Sequence, residues 1–342
     1  MTDKNDLVSR LTGILRMQAH LYHGIAERLR AAHAPEADNI IEQALSAYGT
    51  WRGERLRAQH DSGGIAHSPG NVVAHWDNGD FHVVRALGGN SSEVTPGAAS
   101  VSLGKDPFAQ FLVSAGAKEL ADIYYGTVLD AFAAAYDPNI DVAIESPDGG
   151  NWIVRWSATR GEQVPASLSD AASDTAALVR NGANLFGALY YFLGTELTKI
   201  LGDAGEQLLR KAVRETARER GEALRQEHLE AGLPINLESL MKNYDSPVEE
   251  AFEWAEGEIM TPTRWHADCT YCPFYDVWGK VGGQKLGWLF DEELHPALYQ
   301  AYHPGIQVKF VSNKNRGDHV CGFRFDIVEG TARPEAIFEP ES

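Results

Sequence analysis

The chain holds three cysteines, and two of them stand close together in Cys269-Thr270-Tyr271-Cys272, ahead of Pro273-Phe274. The third, Cys321, follows Asp318-His319-Val320. Cys272 falls just past an apolar strand-like run and before a Pro that starts a turn, where backbone N–H groups favour a thiolate. His319 is two residues from Cys321, so on a strand that begins at this point the two share one face. A thiol with an imidazole at hand is a nucleophile for a carbon bonded to nitrogen, and Asp318 could orient that imidazole. Asp291 and His295 are four apart and meet on one face of a helix, as proton carriers or as a solvated pair. Arg220, Arg225 and Arg264 are candidate clamps for a substrate carboxylate. Trp278 is a candidate aromatic wall.

The same cysteines allow a second chemistry. Cys269, Cys272 and Cys321 with His319 have the composition of a structural zinc site, although the second half-site is a single Cys far along the chain. A redox Cys-x-x-Cys lacks its usual setting, a strand followed directly by a long helix. The first reading is an enzyme that needs no cofactor; the second is a small-molecule-binding module with structural zinc.

These residues lie in the second of two similar halves. Arg52-Gly53-Glu54…Leu56-Arg57…His60 matches Arg220-Gly221-Glu222…Leu224-Arg225…His228. Trp76-Asp77 matches Tyr244-Asp245, Pro107-Phe108 matches Pro273-Phe274, Tyr136-Asp137-Pro138 matches Tyr302-His303-Pro304, and Arg155-Trp156 matches Arg324-Phe325. The blocks keep one order at nearly constant offset, which indicates an internal repeat. The first half has Asp106 where Cys272 stands, and Trp152 within a residue of the place of Cys321. It keeps the framework without the thiols.

Hydrophobic periodicity predicts a helix from residue 5 to about Pro35 and another over Asp38–His60. Asp61–Asn71 reads as loop. Strands are expected at Phe81–Ala86, Val94–Leu103, Ile140–Glu145 and Trp152–Trp156, the last two joined by a Pro-Asp-Gly-Gly turn. Lys118–Tyr136 is helical and stops at Pro138. The second half repeats this. A helix runs over Leu185–Ala231, broken near Gly202–Gly205. Strands follow at Phe252–Met260 and Arg264–Cys269. A helix spans Leu286–Tyr302, bent or restarted at Pro296, and strands close the pattern at Ile306–Val311 and Val320–Val328. The expected fold is α+β, two similar repeats, each a long helical segment plus a small antiparallel sheet with a helix between strand pairs. The divisions are a first repeat at 1–157, a linker at 158–180, a second repeat with the site at 181–330, and a tail at 331–342. Two such repeats act as a monomeric pseudo-dimer or build a homodimer.

The 342 residues are 44% hydrophobic and carry a net charge of −18. So acidic a surface disfavours nucleic acid and anionic membrane and leaves a small molecule as the expected partner. No leader pattern opens the chain and no apolar run spans a bilayer, so the expected location is the cytoplasm, with thiols reduced.

Roughly Leu193 to Val328 resembles the L-2-amino-thiazoline-4-carboxylate hydrolase family. The shared pattern is Arg220, Gly221, Leu224 and Arg225 on a helix; Cys272-Pro273 followed by Trp278; Glu293-x-His295; and Gly317-Asp318-x-x-Cys321-x-Phe323. The resemblance implies a small α+β unit and cysteine-dependent hydrolysis of a C–N bond in a small heterocycle, without a cofactor. Family members usually carry a further Cys on the helix before the third strand, where Phe290 and Asp291 stand in this chain. A lyase or ring-forming enzyme on the same scaffold is an alternative reading.

Overall fold

The computed structural model describes residues 4–76, 92–95, 97–146, 151–158, 175–245 and 251–340. The expected strand at Phe81–Ala86 and the turn at 147–150 lie outside them. The chain is α+β and divides into two compact units, one of Met1–Ala26 with Arg30–Leu185, the other of Glu27–Leu29 with Phe186–Ser342. The division falls inside a helix that begins at Thr175, within the stretch read from sequence as a linker.

The first unit begins with α1 (Lys4–Ala32), α2 (Ala37–Gly63) and α3 (Pro69–Ala74). Strands β1 (Ser92–Thr95) and β2 (Ala98–Ser102), helices α4 (Pro107–Ser114) and α5 (Lys118–Tyr136), and strands β3 (Ile140–Glu145) and β4 (Ile153–Ala158) follow. The sheet is antiparallel, in the order β1-β2-β4-β3. Helices α3 and α4 replace what sequence periodicity read as loop and turn. Both are short, both start at a Pro, and neither is long enough to show a helical period.

The second unit follows α6 (Thr175–Leu201) with α7 (Asp203–Glu230) and α8 (Leu237–Lys242). Then come β5 (Glu253–Trp254), β6 (Ile259–Thr261), β7 (Arg264–Tyr271), α9 (Pro273–Val281), α10 (Gln284–Tyr302), β8 (Ile306–Ser312), β9 (Cys321–Ile327) and β10 (Ile337–Phe338). Its sheet runs β10-β8-β9-β7-β5, with β6 also on β7. The tail is part of this sheet, because β10 pairs in parallel with β8. Pro296 is buried within α10, which continues through it without a restart. Between β8 and β9 a 3-10 turn spans Lys314–Arg316.

Both units therefore run long helices, a short helix, strand, short Pro-started helix, long helix, strand, strand; β4 lies between β2 and β3 in the first sheet, as β9 lies between β7 and β8 in the second. The helix pairs pack alike. A Cβ at Gly53 would come within 2.4 Å of the Phe132 carbonyl oxygen, and one at Gly221 within 2.1 Å of that of Leu298. Each glycine lets α2 meet α5, or α7 meet α10, backbone to backbone. At the far end of each pair, His60 Nδ1 lies 2.7 Å from the Tyr136 hydroxyl, and His228 Nδ1 lies 2.7 Å from that of Tyr302. The second unit's core fills the space between α10 and the sheet with Tyr299, Tyr302, Phe310, Phe323, Phe325 and Trp265. Among the described residues, no helix is long and apolar enough to cross a membrane.

Candidate active site

The three thiols come together at one end of the second unit's sheet. Cys269 on β7 and Cys321 on β9 sit directly opposite each other across the antiparallel pair. Cys272 directly follows β7, three residues on from Cys269. Pro273 has no N–H to give the ladder, so the strand ends there, and its fixed φ starts α9. Cys272 is thus the N-cap of α9. The first unit fills the matching position with Asp106, whose carboxylate accepts from the Phe108 N–H at 3.1 Å. That residue is an ordinary cap; a thiol is not.

Each thiol is held protonated at rest. Burial pushes Cys269 up, with Cys321 adding to it. Burial does the same to Cys272, reinforced by Cys269 and opposed by backbone N–H groups of Tyr275 and Phe274 in the first turn of α9. Cys321 is raised by burial, then by Cys272 and Asp291, against the Lys314 N–H. The Cys269 S–H donates to the Tyr271 carbonyl at 3.0 Å, and Cys321 Sγ accepts from the Lys314 N–H at 3.4 Å.

Asp291, on α10, acts electrostatically on all three sulfurs. Its Oδ2 accepts from Asn313 Nδ2 at 2.8 Å and from Asn315 Nδ2 at 3.1 Å. Asn313 is fully buried, and its own Oδ1 accepts from the Asn315 N–H at 2.8 Å. The turn between β8 and β9 is thereby tied to α10. Gly287 permits the approach, since a Cβ there would come within 2.4 Å of Asn315 Oδ1. His295 Nε2 lies 3.6 Å from Asp291 Oδ1. The shared helix face expected for this pair is present, but the pair is not solvated. His295 packs against Phe310, Phe323 and Phe325, and its Nδ1 is buried without a hydrogen-bond partner.

Cys272 alone of the three thiols lines an open cleft of about 290 Å³, with Tyr271, Tyr275, Asp276, Lys280 and Lys314 around it. Lys314 Nζ donates to the Thr270 carbonyl at 2.5 Å and lies 5.5 Å from the centre of the Tyr275 ring. Sequence reading passed over Lys314, Asn313 and Asn315 because together they read only as a polar turn.

Other candidates take structural posts. His319 is exposed, and β9 begins at Cys321, so the two do not share a strand face. Asp318 accepts from the Asn313 N–H at 2.7 Å and shapes the turn instead of orienting an imidazole. Arg220 forms a two-point ion pair with Asp245, with Nε 2.6 Å from Oδ2, and lies over the Tyr244 ring. Arg225 donates to the Tyr302 carbonyl at 2.8 Å, closing the C-terminus of α10. Arg264 pairs with Asp326 at 2.8 Å. Trp278 is a buried core residue whose Nε1 donates to the Gly187 carbonyl at 2.9 Å. Glu293, buried, anchors α10 to Arg210 at 2.9 Å and to Arg214 at 2.7 Å. Among the described residues, no three His, Cys, Asp or Glu side chains are grouped to hold a metal ion, the set Cys269, Cys272, Cys321 and His319 included.

No curated protein and no solved structure matches the chain. Residues 181–325, which hold the three cysteines, Asp291 and His295, match the family described as L-2-amino-thiazoline-4-carboxylic acid hydrolase, and the chain carries this family's pattern in its second half.

Proposed function

We propose that this protein is a cysteine hydrolase that opens or cleaves a C–N bond in a small heterocycle, amide or amidine bearing a carboxylate, with Cys272 as nucleophile. The observation that carries this reading is the place of Cys272: it faces a cleft of small-molecule size and caps the first turn of α9. The N–H groups of that turn stabilise negative charge as it develops on sulfur or on the carbon's other substituent. Lys280 is paired with Asp276 at 2.9 Å, and Lys314 gives the cleft its positive charge for a substrate carboxylate, in a chain whose net charge is −18. The family match supports hydrolysis as the reaction class. Cys269 and Cys321, both nearly inaccessible, serve as packing beneath the site. No metal or organic cofactor enters this chemistry.

A tandem origin of the chain belongs to the same proposal. The common element order, the paired His–Tyr contacts and the paired glycines support it. The first unit is then the copy that kept the framework and lost the thiols.

The test is hydrolysis of 2-amino-thiazoline-4-carboxylate and of a panel of related cyclic amidines and amides. Cys272→Ser should lower kcat by about 10³-fold or more, and Cys321→Ser by about 10-fold or less. Full turnover by Cys272→Ser rules out this nucleophile.

A further inference from the structure

We infer that the C-terminal strand β10 is a positioning element of the Cys272 cleft: Phe338, with Trp288, grips Arg316 and so holds Lys314 where its ammonium meets an anionic group entering the cleft. The inference rests on the carboxylate subsite proposed above, and not on which cysteine attacks. β10 lies beyond the residues that match the family, whose pattern gives it no part in the site.

Lys314 and Arg316 open and close the 3-10 turn between β8 and β9. With three residues per turn, positions two apart project to different sides. Lys314 goes to the cleft, where Nζ donates to the Thr270 carbonyl at 2.5 Å beside the Tyr275 ring. Arg316 goes the other way. Its Cζ lies 4.0 Å from the centre of the Phe338 ring and 4.8 Å from that of Trp288, and those two rings meet edge to face at 5.7 Å. Among the described residues Arg316 forms no ion pair and no side-chain hydrogen bond. Its guanidinium is placed by stacking, which a planar cation does well and an ammonium does not.

The two ends of the turn are held differently. Asn313 and Asn315 tie its start to Asp291 on α10. Past its end the chain is exposed from Gly317 to His319, and the grip on Arg316 fixes it there. The grip is itself fixed by the sheet. Phe338 pairs with Phe310 on β8, the Glu339 N–H donates to the Phe310 carbonyl at 2.9 Å, and Lys309 Nζ lies 2.7 Å from Glu339. Trp288 also packs on Phe310, with ring centres 5.6 Å apart. Contacts thus run without a break from the tail through Arg316 to Lys314. A lysine has a long flexible stem, and its charge is aimed at one spot only if the backbone that carries it stays in place.

Alkylation of Cys272 by iodoacetate and by iodoacetamide, followed by peptide mass spectrometry at about pH 8.5 and low salt, tests this. The reagents differ by a carboxylate. The ratio of their rates, divided by the same ratio for a small free thiol, therefore reads the positive charge at the cleft and cancels changes in thiol ionisation. Lys314→Met should lower that ratio at least about threefold. Phe338→Ala and Arg316→Lys should each lower it at least about twofold, the second although the charge is kept, while Phe338→Tyr should hold the native ratio. Alkylation of the buried Cys269 and Cys321 reports any unfolding, and Arg316, being exposed, carries the test if Phe338→Ala does not fold. A native ratio in Arg316→Lys, or in a folded Phe338→Ala, beside a lowered ratio in Lys314→Met overturns the inference and leaves the carboxylate subsite standing. A native ratio in Lys314→Met overturns that subsite and the inference with it.

Discussion

His228 Nδ1 and the Tyr302 hydroxyl meet at 2.7 Å where α7 and α10 come together, both residues buried. Tyr302→Phe removes the partner and leaves a buried imidazole nitrogen unmatched. The expected loss is about 1–3 kcal/mol, read from urea unfolding. Tyr136→Phe in the first unit should cost a similar amount, through His60.

His60 makes the first unit acid-sensitive. It is fully buried, with Tyr136 on Nδ1, His75 Nδ1 2.9 Å from Nε2, and the His67 ring, itself paired with Asp61, packed beside it. Burial, then His75 and His67, lower its pKa from 6.5 to about 4. The folded state therefore refuses a proton that the unfolded state accepts. Stability is complete above pH 6.5 and is lost as pH falls from there toward 4, on the order of 2–3 kcal/mol in all. Urea midpoints taken across that range should drop less steeply in His60→Gln. Parallel slopes in the two proteins would show that another group is responsible.

Gly221→Ala should be among the most damaging single-methyl additions to the second unit. The new Cβ would meet the Leu298 carbonyl oxygen and the Ala301 methyl, and backbone cannot step aside as a flexible side chain can. Separation of α7 from α10 should cost about 2–3 kcal/mol. Ala223→Gly, on the exposed face of the same helix, should cost no more than about 1 kcal/mol, from helix propensity alone. Thermal melts of the two variants distinguish packing from propensity.

Lys314→Met should act on binding more than on chemistry. Its ammonium sits at the cleft with the Thr270 carbonyl and the Tyr275 ring. For a carboxylate substrate KM should rise about 10–100-fold with kcat within about threefold. An equal fall in kcat with KM unchanged would place Lys314 in the reacting centre instead.

Much of the framework was legible in the chain. The helix over Lys118–Tyr136 and the strand over Ile140–Glu145 have the predicted bounds, because Pro138 ends one and alternation marks the other. Pro304 does the same after Tyr302. Short helices at Pro107 and Pro273 escaped notice, since eight or nine residues do not reveal a period. The site was legible by residue type but not by partnership. Cys269 and Cys321 are on different strands, and only the fold sets them opposite each other. His319 does not share the face of Cys321 because β9 begins only at Cys321, two residues further on, and the imidazole stays in solvent. The arginines looked like free cations because their acids, Asp245 and Asp326, are far away in sequence.

The raised thiols have a consequence for the protein's life in the presence of peroxides. Peroxides consume thiolates, and low-pKa cysteines are the ones that progress to sulfenic and sulfinic acids. All three cysteines here are held on the protonated side by burial and by one another. The thiols are therefore chemically quiet at rest, and under the proposed function Cys272 becomes nucleophilic only when an electrophile with the right shape sits in the cleft. Under that function oxidative durability and catalytic readiness, which oppose each other in a permanently ionised cysteine, are separated in time.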